Sequence, residues 1–353
     1  MDVAIQLGIG YSAASDWDDL VTYTLEAERL GASTVWSAEA WNQDAMTPLA
    51  YLAARTSTIR LGTGIVQTGT RTPALLAMTA LTLAQMSGDR FVLGLGTSGP
   101  QVIEGWHGLA FDRPVQRMRE VVDIVRLVSR GERLVYEGRT YQLPRPGGEG
   151  KALRSGIEPR YIPIYLATLG PKSLEMTGEM ADGWAGTTFM PEHADVFLEP
   201  LRAGAQRAGR SLEDLDVQAS AIVHITDDVD RALTKRKSAL AFQIGAMGSR
   251  EHNFYKDSFA RAGYAAEVDV VQDLWLAGRR EDAARAVPDD LVGRANLIGT
   301  PGMVRDRIRR YREVGITTLS LNPAGATTAG RLDMLAQAIG LVREVSSEAP
   351  SSG

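Results

Sequence analysis

The chain has 353 residues, 44% of them hydrophobic and 23% charged, a length and composition compatible with one barrel-sized domain around a large core. A formal net charge of -5 offers no basic surface for phosphates, so a nucleic-acid partner is not expected. The absence of cysteine excludes disulfides, thiolate zinc sites, iron–sulfur clusters and a cysteine nucleophile.

The opening Met1-Asp2-Val3-Ala4-Ile5-Gln6 lacks a basic segment followed by an apolar one. No apolar run reaches the roughly 20 residues of a membrane span. The expectation is a soluble, cytoplasmic protein without a membrane partner.

The first strand candidate covers residues 3–8. Asp16 then caps a helix, with Asp19 three positions on, Trp17, Val21 and Leu25 on one face, and Gly31 as the left-handed stop. Further strand candidates are 34–38, 60–67 and 90–96, with a helix opened by Pro73 between the last two. Met118, Val121, Val125 and Val128 mark the inner face of the next helix. Residues 131–160 read as a hairpin (133–136 and 140–143) followed by a Pro/Gly-rich loop.

Strand candidates resume at 162–167, 183–187 and 217–226, and a longer helical insertion is expected over 246–299. Thr300 and Pro301 start a helix whose buried stripe is Val304, Ile308 and Tyr311, and Gly315 ends it before a strand at 317–321. Arg305, Arg307, Arg309 and Arg310 read as the solvated face of that helix. The tail, 346–353, is Ser/Pro/Gly-rich and expected to fray.

Eight strands alternating with helices, several of them continuous apolar runs, imply a parallel sheet. Their even spread favours closure. The fold class is α/β, a (β/α)8 TIM barrel spanning 1–345 as a single domain, with insertions after strands 4 and 7.

Gly94-Leu95-Gly96-Thr97-Ser98-Gly99 matches G-x-G-x-x-G after a strand, with Glu120 placed as a ribose acid. The context disfavours a dinucleotide site. It follows the fourth strand, and Gly105 and Gly108 break what comes next. Gly94 and Gly96 share a strand face, where glycine marks close approach of a ligand or of another backbone.

Four segments carry a family resemblance. They are Thr34-Val35-Trp36-Ser37-Ala38-Glu39-Ala40-Trp41, Ile59-Arg60-Leu61-Gly62-Thr63-Gly64-Ile65-Val66, and Gly88-Asp89-Arg90-Phe91-Val92-Leu93-Gly94-Leu95-Gly96. The fourth is Ile164-Tyr165-Leu166-Ala167 with Gly170-Pro171-Lys172 and Ala181-Asp182-Gly183-Trp184. In order and spacing they resemble the luciferase-like flavin and deazaflavin oxidoreductases, in particular the coenzyme F-420 branch.

The resemblance implies a cofactor ring at the C-terminal mouth of the barrel, backed by a bulge with a non-prolyl cis peptide at Gly64-Ile65. It implies that Thr97 and Ser98 bond the cofactor's side chain. Ala167, Thr168, Leu169, Gly170 and Pro171 would receive its phosphate at a helix N-terminus, with help from Lys172 and Arg71. It also implies a homodimer.

Related alcohol and sugar-phosphate dehydrogenases carry an Asp-His pair after the second strand; here the pair reads Glu39-Ala40. Alcohol oxidation therefore lacks its obvious base, whereas reduction of a C=C, C=O or C=N bond needs only an acid. Glu39, Glu104 and His107 are the candidate acids, with Trp41 as a pocket wall. His193, His224 and His252 show no ligand spacing, so no metal is expected, and no G-x-S-x-G elbow occurs. Three readings stand: an F-420-dependent reductase, a reduced-FMN two-component monooxygenase, and a barrel that binds a cofactor or ligand without catalysis.

Overall fold

The computed structural model describes residues 1–7, 16–248 and 253–348. Gly8 of the first strand candidate, His252, and residues 349–353 of the expected tail lie outside them. Eight parallel strands carry the fold: β1 (Asp2–Gln6), β2 (Thr34–Ser37), β3 (Arg60–Thr63), β4 (Phe91–Gly96), β5 (Ile164–Ala167), β6 (Gly183–Gly186), β7 (Asp216–Ile225) and β8 (Thr318–Pro323). Each pairs with its neighbour in chain order, and β8 pairs back onto β1 with Asp2 opposite Thr318. The sheet is a closed (β/α)8 barrel.

Strand alternation sorts the side chains. Val217, Ala219, Ala221 and Val223 join the core between barrel and helices, so Asp216, Gln218, Ser220, Ile222 and His224 face inward. The inner cluster packs Ala4, Trp36, Val92 and Tyr165. At the N-terminal end, Asp216 closes the floor by accepting from Tyr165 (2.9 Å), Gln218 (2.8 Å) and Thr318 (2.8 Å).

Two residues of the family segments also belong to this lower end. The Arg90 guanidinium donates to the carbonyls of Ala53, Thr56, Ile59 and Ser87 and to the Thr56 hydroxyl. Asp182 accepts from the Ile164 amide at 2.7 Å and from Arg126 at 3.0 Å. Both are fastenings between elements, remote from the barrel's mouth.

The helix caps follow their sequence signals. Asp16 accepts from the Asp18 amide, Thr72 from Leu75 and Thr300 from Met303. One expected face differs. Helix Trp17–Leu30 buries Leu20, Val21, Tyr23, Thr24 and Ala27, while Trp17, in its first turn, is 42% exposed. Arg305, Arg307, Arg309 and Arg310 of helix Pro301–Glu313 are all in ion pairs, Arg307 and Arg310 with Glu192, Arg305 with Glu344 and Arg309 with Glu348, and Arg307 is largely buried over the Tyr311 ring rather than solvated.

The short antiparallel hairpin pairs Tyr136–Glu137 with Gln142–Leu143. Between β7 and β8 a run of helices from Val229–Ala246 to Asp289–Arg294 builds its own core around Ile244, Val268, Val271 and Leu291. It ends in a strand, Leu297–Gly299, that extends the sheet beside the end of β7. Three residues are too few to show alternation, so this strand carries no signal in the sequence. Among the described residues no helix is long and apolar enough to cross a membrane.

Glu120, the ribose acid of the dinucleotide reading, has a different role. Its carboxylate is fully buried and accepts from Gln116 (2.8 Å) and from the amides of Arg139, Thr140 and Tyr141 (2.8–2.9 Å) beneath the hairpin. Burial pushes its titration upward, but these donors outweigh that and hold it below the usual glutamate value. A folded-state value below the unfolded one adds stability that is present above roughly pH 4.3 and is lost as pH falls through the folded value. Glu120→Gln should cost about 2 kcal/mol in urea unfolding at pH 7. The gap from wild type should shrink in the same measurement near pH 3.

Candidate active site at the barrel mouth

The site is built on an interruption of the third strand. Leu61 and Gly62 pair with Phe91 and Val92, and after a break Val66 and Gln67 pair with Leu95 and Gly96. The third strand therefore carries one residue more than β4 over this span, a bulge. The Gly64-Ile65 peptide within it is cis.

Side-chain chemistry replaces the lost ladder. The Thr63 hydroxyl donates to the Gly94 carbonyl and accepts from the Gly94 amide, each at 2.8 Å. The same approach explains the paired glycines of β4. A Cβ on Gly94 would lie 1.8 Å from the Thr63 carbonyl oxygen, and one on Gly96 would lie 2.8 Å from the Ile65 side chain. The neighbour that requires glycine here is the protein's own third strand. Trp36 lies over Gly62 and tilts against Tyr165 with ring centroids 5.5 Å apart.

Glu39 and Arg71 join the loops that follow the second and third strands. Arg71 donates to Glu39 Oε1 at 2.7 Å and lies 3.9 Å from Asp44, and the hydrogen bond it makes to Glu39 raises the guanidinium's titration further. The Glu39 side chain is only 8% exposed, and its Oε2 accepts one long bond, 3.3 Å, from the Ala45 amide. Arg71, a candidate partner for the cofactor's phosphate in the sequence, is thus engaged by carboxylates. Trp41 stands 42% exposed on the same loop.

After β4, Thr97 and Ser98 are half-buried, and Ser98 takes a left-handed φ of 58°. The following helix, Pro100–Ile103, is a single turn. Glu104 and His107 lie exposed beyond it, with Glu104 accepting from the Phe111 amide at 3.1 Å. These two are not brought into contact with Glu39 by any hydrogen bond among the described residues.

After β5, Ala167 faces inward and is partly exposed. Thr168 is buried, its hydroxyl on Thr177 (2.8 Å) and its carbonyl on the Trp184 indole N–H (2.9 Å). Leu169 offers its carbonyl to Arg261, reached from the excursion at 2.6 Å. Gly170 and Pro171 start helix Pro171–Met180 with no side-chain cap, which leaves early amides, such as that of exposed Lys172, without an acceptor. Gly178 and Gly204 let the next helix press close enough that a Cβ on either would overlap backbone (1.9 and 1.8 Å). This helix start is rigidly held.

The interior ends of β7 and β8 were missed in the sequence. Ser220, His224 and Asn322 face the mouth and are partly exposed. The signal for them in the sequence is the alternation along 217–226. Among the described residues no group of three or more His, Asp or Glu could hold a metal.

A closed parallel barrel with a cis bulge and polar loops at the C-terminal ends of its strands is an enzyme scaffold with its site at the mouth. The sequence profile of the luciferase-like monooxygenase family matches residues 3–318, and the chain belongs to that family. It is 40% identical over 337 residues, 92% of this chain and 97% of the relative, to a protein of Mycobacterium tuberculosis (strain ATCC 25618 / H37Rv) named as a coenzyme F-420-dependent oxidoreductase. It is 28% identical to the 5,10-methylenetetrahydromethanopterin reductase of Archaeoglobus fulgidus over 89% of this chain and 92% of the relative. Among solved structures, the coenzyme F-420-dependent tetrahydromethanopterin reductase of Methanopyrus kandleri superposes with a TM-score of 0.78 at 24% identity, covering 95% of this chain and 97% of that one. This last likeness speaks for the fold.

The bulge contact makes a direct prediction. Gly94→Ala sets a methyl group against the Thr63 carbonyl, an overlap no rotamer relieves, and should cost about 3 kcal/mol. Thermal unfolding checks it; a melting temperature within a degree of wild type would contradict the contact.

Proposed function

We propose that the protein is a coenzyme F-420-dependent oxidoreductase that acts as a reductase of a C=C, C=O or C=N bond in a small organic substrate. The observation that carries this reading is chemical. The loop after β2 bears Glu39 and Ala40, with no imidazole to take a proton from an alcohol. The relatives named as an F-420-dependent oxidoreductase and as a methylenetetrahydromethanopterin reductase support it.

F-420 when bound supplies two electrons as a hydride. The residues present suit such a group. Gln67 Oε1 and Trp36 Nε1 are buried next to the bulge without a hydrogen-bond partner, so polar capacity remains there. In this reading Gly64 and Ile65 back the ring, and Thr97 and Ser98 bond the cofactor's side chain. The segment from Ala167 to Pro171, with Lys172, receives its phosphate on the uncapped helix start.

Glu39 manages the substrate proton at Oε2, the oxygen left nearly free, while Arg71 fixes Oε1. Trp41 lines the pocket. Glu104 and His107, on the exposed loop after β4, are the reserve acids.

The test is anaerobic oxidation of reduced F-420 in the presence of an enone such as cyclohexenone. Turnover without oxygen is expected; turnover only with oxygen and reduced FMN would replace this reading by a monooxygenase. In the same assay Glu39→Gln should lower the rate roughly a hundredfold while cofactor affinity changes far less. A near-wild-type rate would pass the acid's role to Glu104 or His107, and lost cofactor binding would make Glu39 a binding residue.

A further inference from the structure

The mouth has two unlike walls. In an eight-stranded ring β3 and β7 stand four strands apart, directly opposite each other. The β3 side is largely apolar, with Trp36, Gly64, Ile65 and Gly96 packed together and Gln67 Oε1 and Trp36 Nε1 as its unpaired polar atoms. The β7–β8 side presents Ser220, His224 and Asn322.

Their orientation is fixed by their neighbours. Ala219, Ala221, Val223 and Leu321 are buried in the outer core, so the residues between them point inward. Ser220 lies opposite Ser320 and Ile222 opposite Asn322, which sets the three on one inner surface. Ser220 and Asn322 are partly exposed between buried strand neighbours, and His224 is partly exposed beside buried Val223, so the exposure of this inner surface is toward the mouth. Among the described residues no hydrogen bond engages the side chains of Ser220, His224 or Asn322.

The imidazole is not poised as a cation. Burial, and then the charge of Lys235, hold its titration below the ordinary histidine value. A neutral ring keeps one N–H donor, the serine a hydroxyl and the asparagine an amide NH2. Ile298, opposite His224 in the added strand, belongs to the core of the helical excursion, so that core stands beside this wall.

We propose that Ser220, His224 and Asn322 form the wall that orients the substrate, and that it selects molecules carrying a hydrogen-bond-accepting oxygen group, a carboxylate or carboxamide, beyond the reacting bond. The inference rests on the proposed function only in giving the opposite, apolar wall to the cofactor. Three inward donors without partners discriminate strongly, because a molecule lacking the oxygen desolvates them and returns nothing.

The chain has four histidines, so protein labelled with [15N]histidine gives a readable spectrum, and His224→Gln identifies the His224 signals. The probes are cinnamate, cinnamamide and styrene, which share a styryl group and differ in the oxygen group. Titrations run with and without oxidised F-420. Cinnamate and cinnamamide should shift the His224 signals and bind at least about tenfold more tightly than styrene. A clear advantage of cinnamate over cinnamamide would add a contribution from Lys235.

His224→Leu should cut the preference over styrene to below about threefold, and Ser220→Ala and Asn322→Leu give the same readout should His224→Leu not fold. Equal binding of styrene, unmoved His224 signals, or a full preference in all three variants would overturn the proposal. Failure to bind F-420 would overturn the proposed function instead, since the cofactor-free titration still reads the wall.

Discussion

Thr63 uses its hydroxyl on both main-chain groups of Gly94, and the rest of the mouth depends on that contact. A bulge removes ladder hydrogen bonds from a strand in the middle of a closed barrel, where water cannot replace them. Here a side chain takes over the pairing, and glycine at 94 lets the two strands close to contact. With the ladder repaired, the cis Gly64-Ile65 unit, the Ile65 side chain over Gly96 and the Trp36 ring over Gly62 all hold fixed places. The fixed shape of this side of the mouth is therefore a property of packing between β3 and β4.

The barrel divides its polar residues between two ends. At the floor, Asp216, Arg90 and Asp182 satisfy main-chain and side-chain partners and fasten strands to helices. At the mouth, polar groups retain capacity: Gln67 Oε1, the amides at the start of helix Pro171–Met180, and the side chains on β7 and β8. Satisfied groups at the floor stabilise the fold, while the groups at the mouth keep hydrogen-bonding capacity.

Much of this was legible in the sequence because it rests on local signals. Eight strand candidates and helix caps such as Thr300-Pro301 pointed to the barrel, while the bulge at Gly64-Ile65 came from the family resemblance. What stayed illegible depends on partners distant in the chain. Nothing near Glu39 announces Arg71, and nothing near Glu120 announces the amides of Arg139, Thr140 and Tyr141. The glycines of β4 announced the close approach of a ligand or of another backbone, and only the fold shows that Thr63 and Ile65 fill the space. His224 drew no notice in the sequence beyond its lack of metal-ligand spacing, and its inward place at the mouth follows only from the alternation along β7 in the folded barrel.

The central claim is that this mouth is shaped for a deazaflavin. Fluorescence titration of the purified protein with F-420, FMN and NADH in one buffer tests it most directly. The account predicts that F-420 binds at least tenfold more tightly than FMN, a difference of about 1.4 kcal/mol, with NADH hardly bound. Equal affinities, or FMN bound more tightly than F-420, would contradict it.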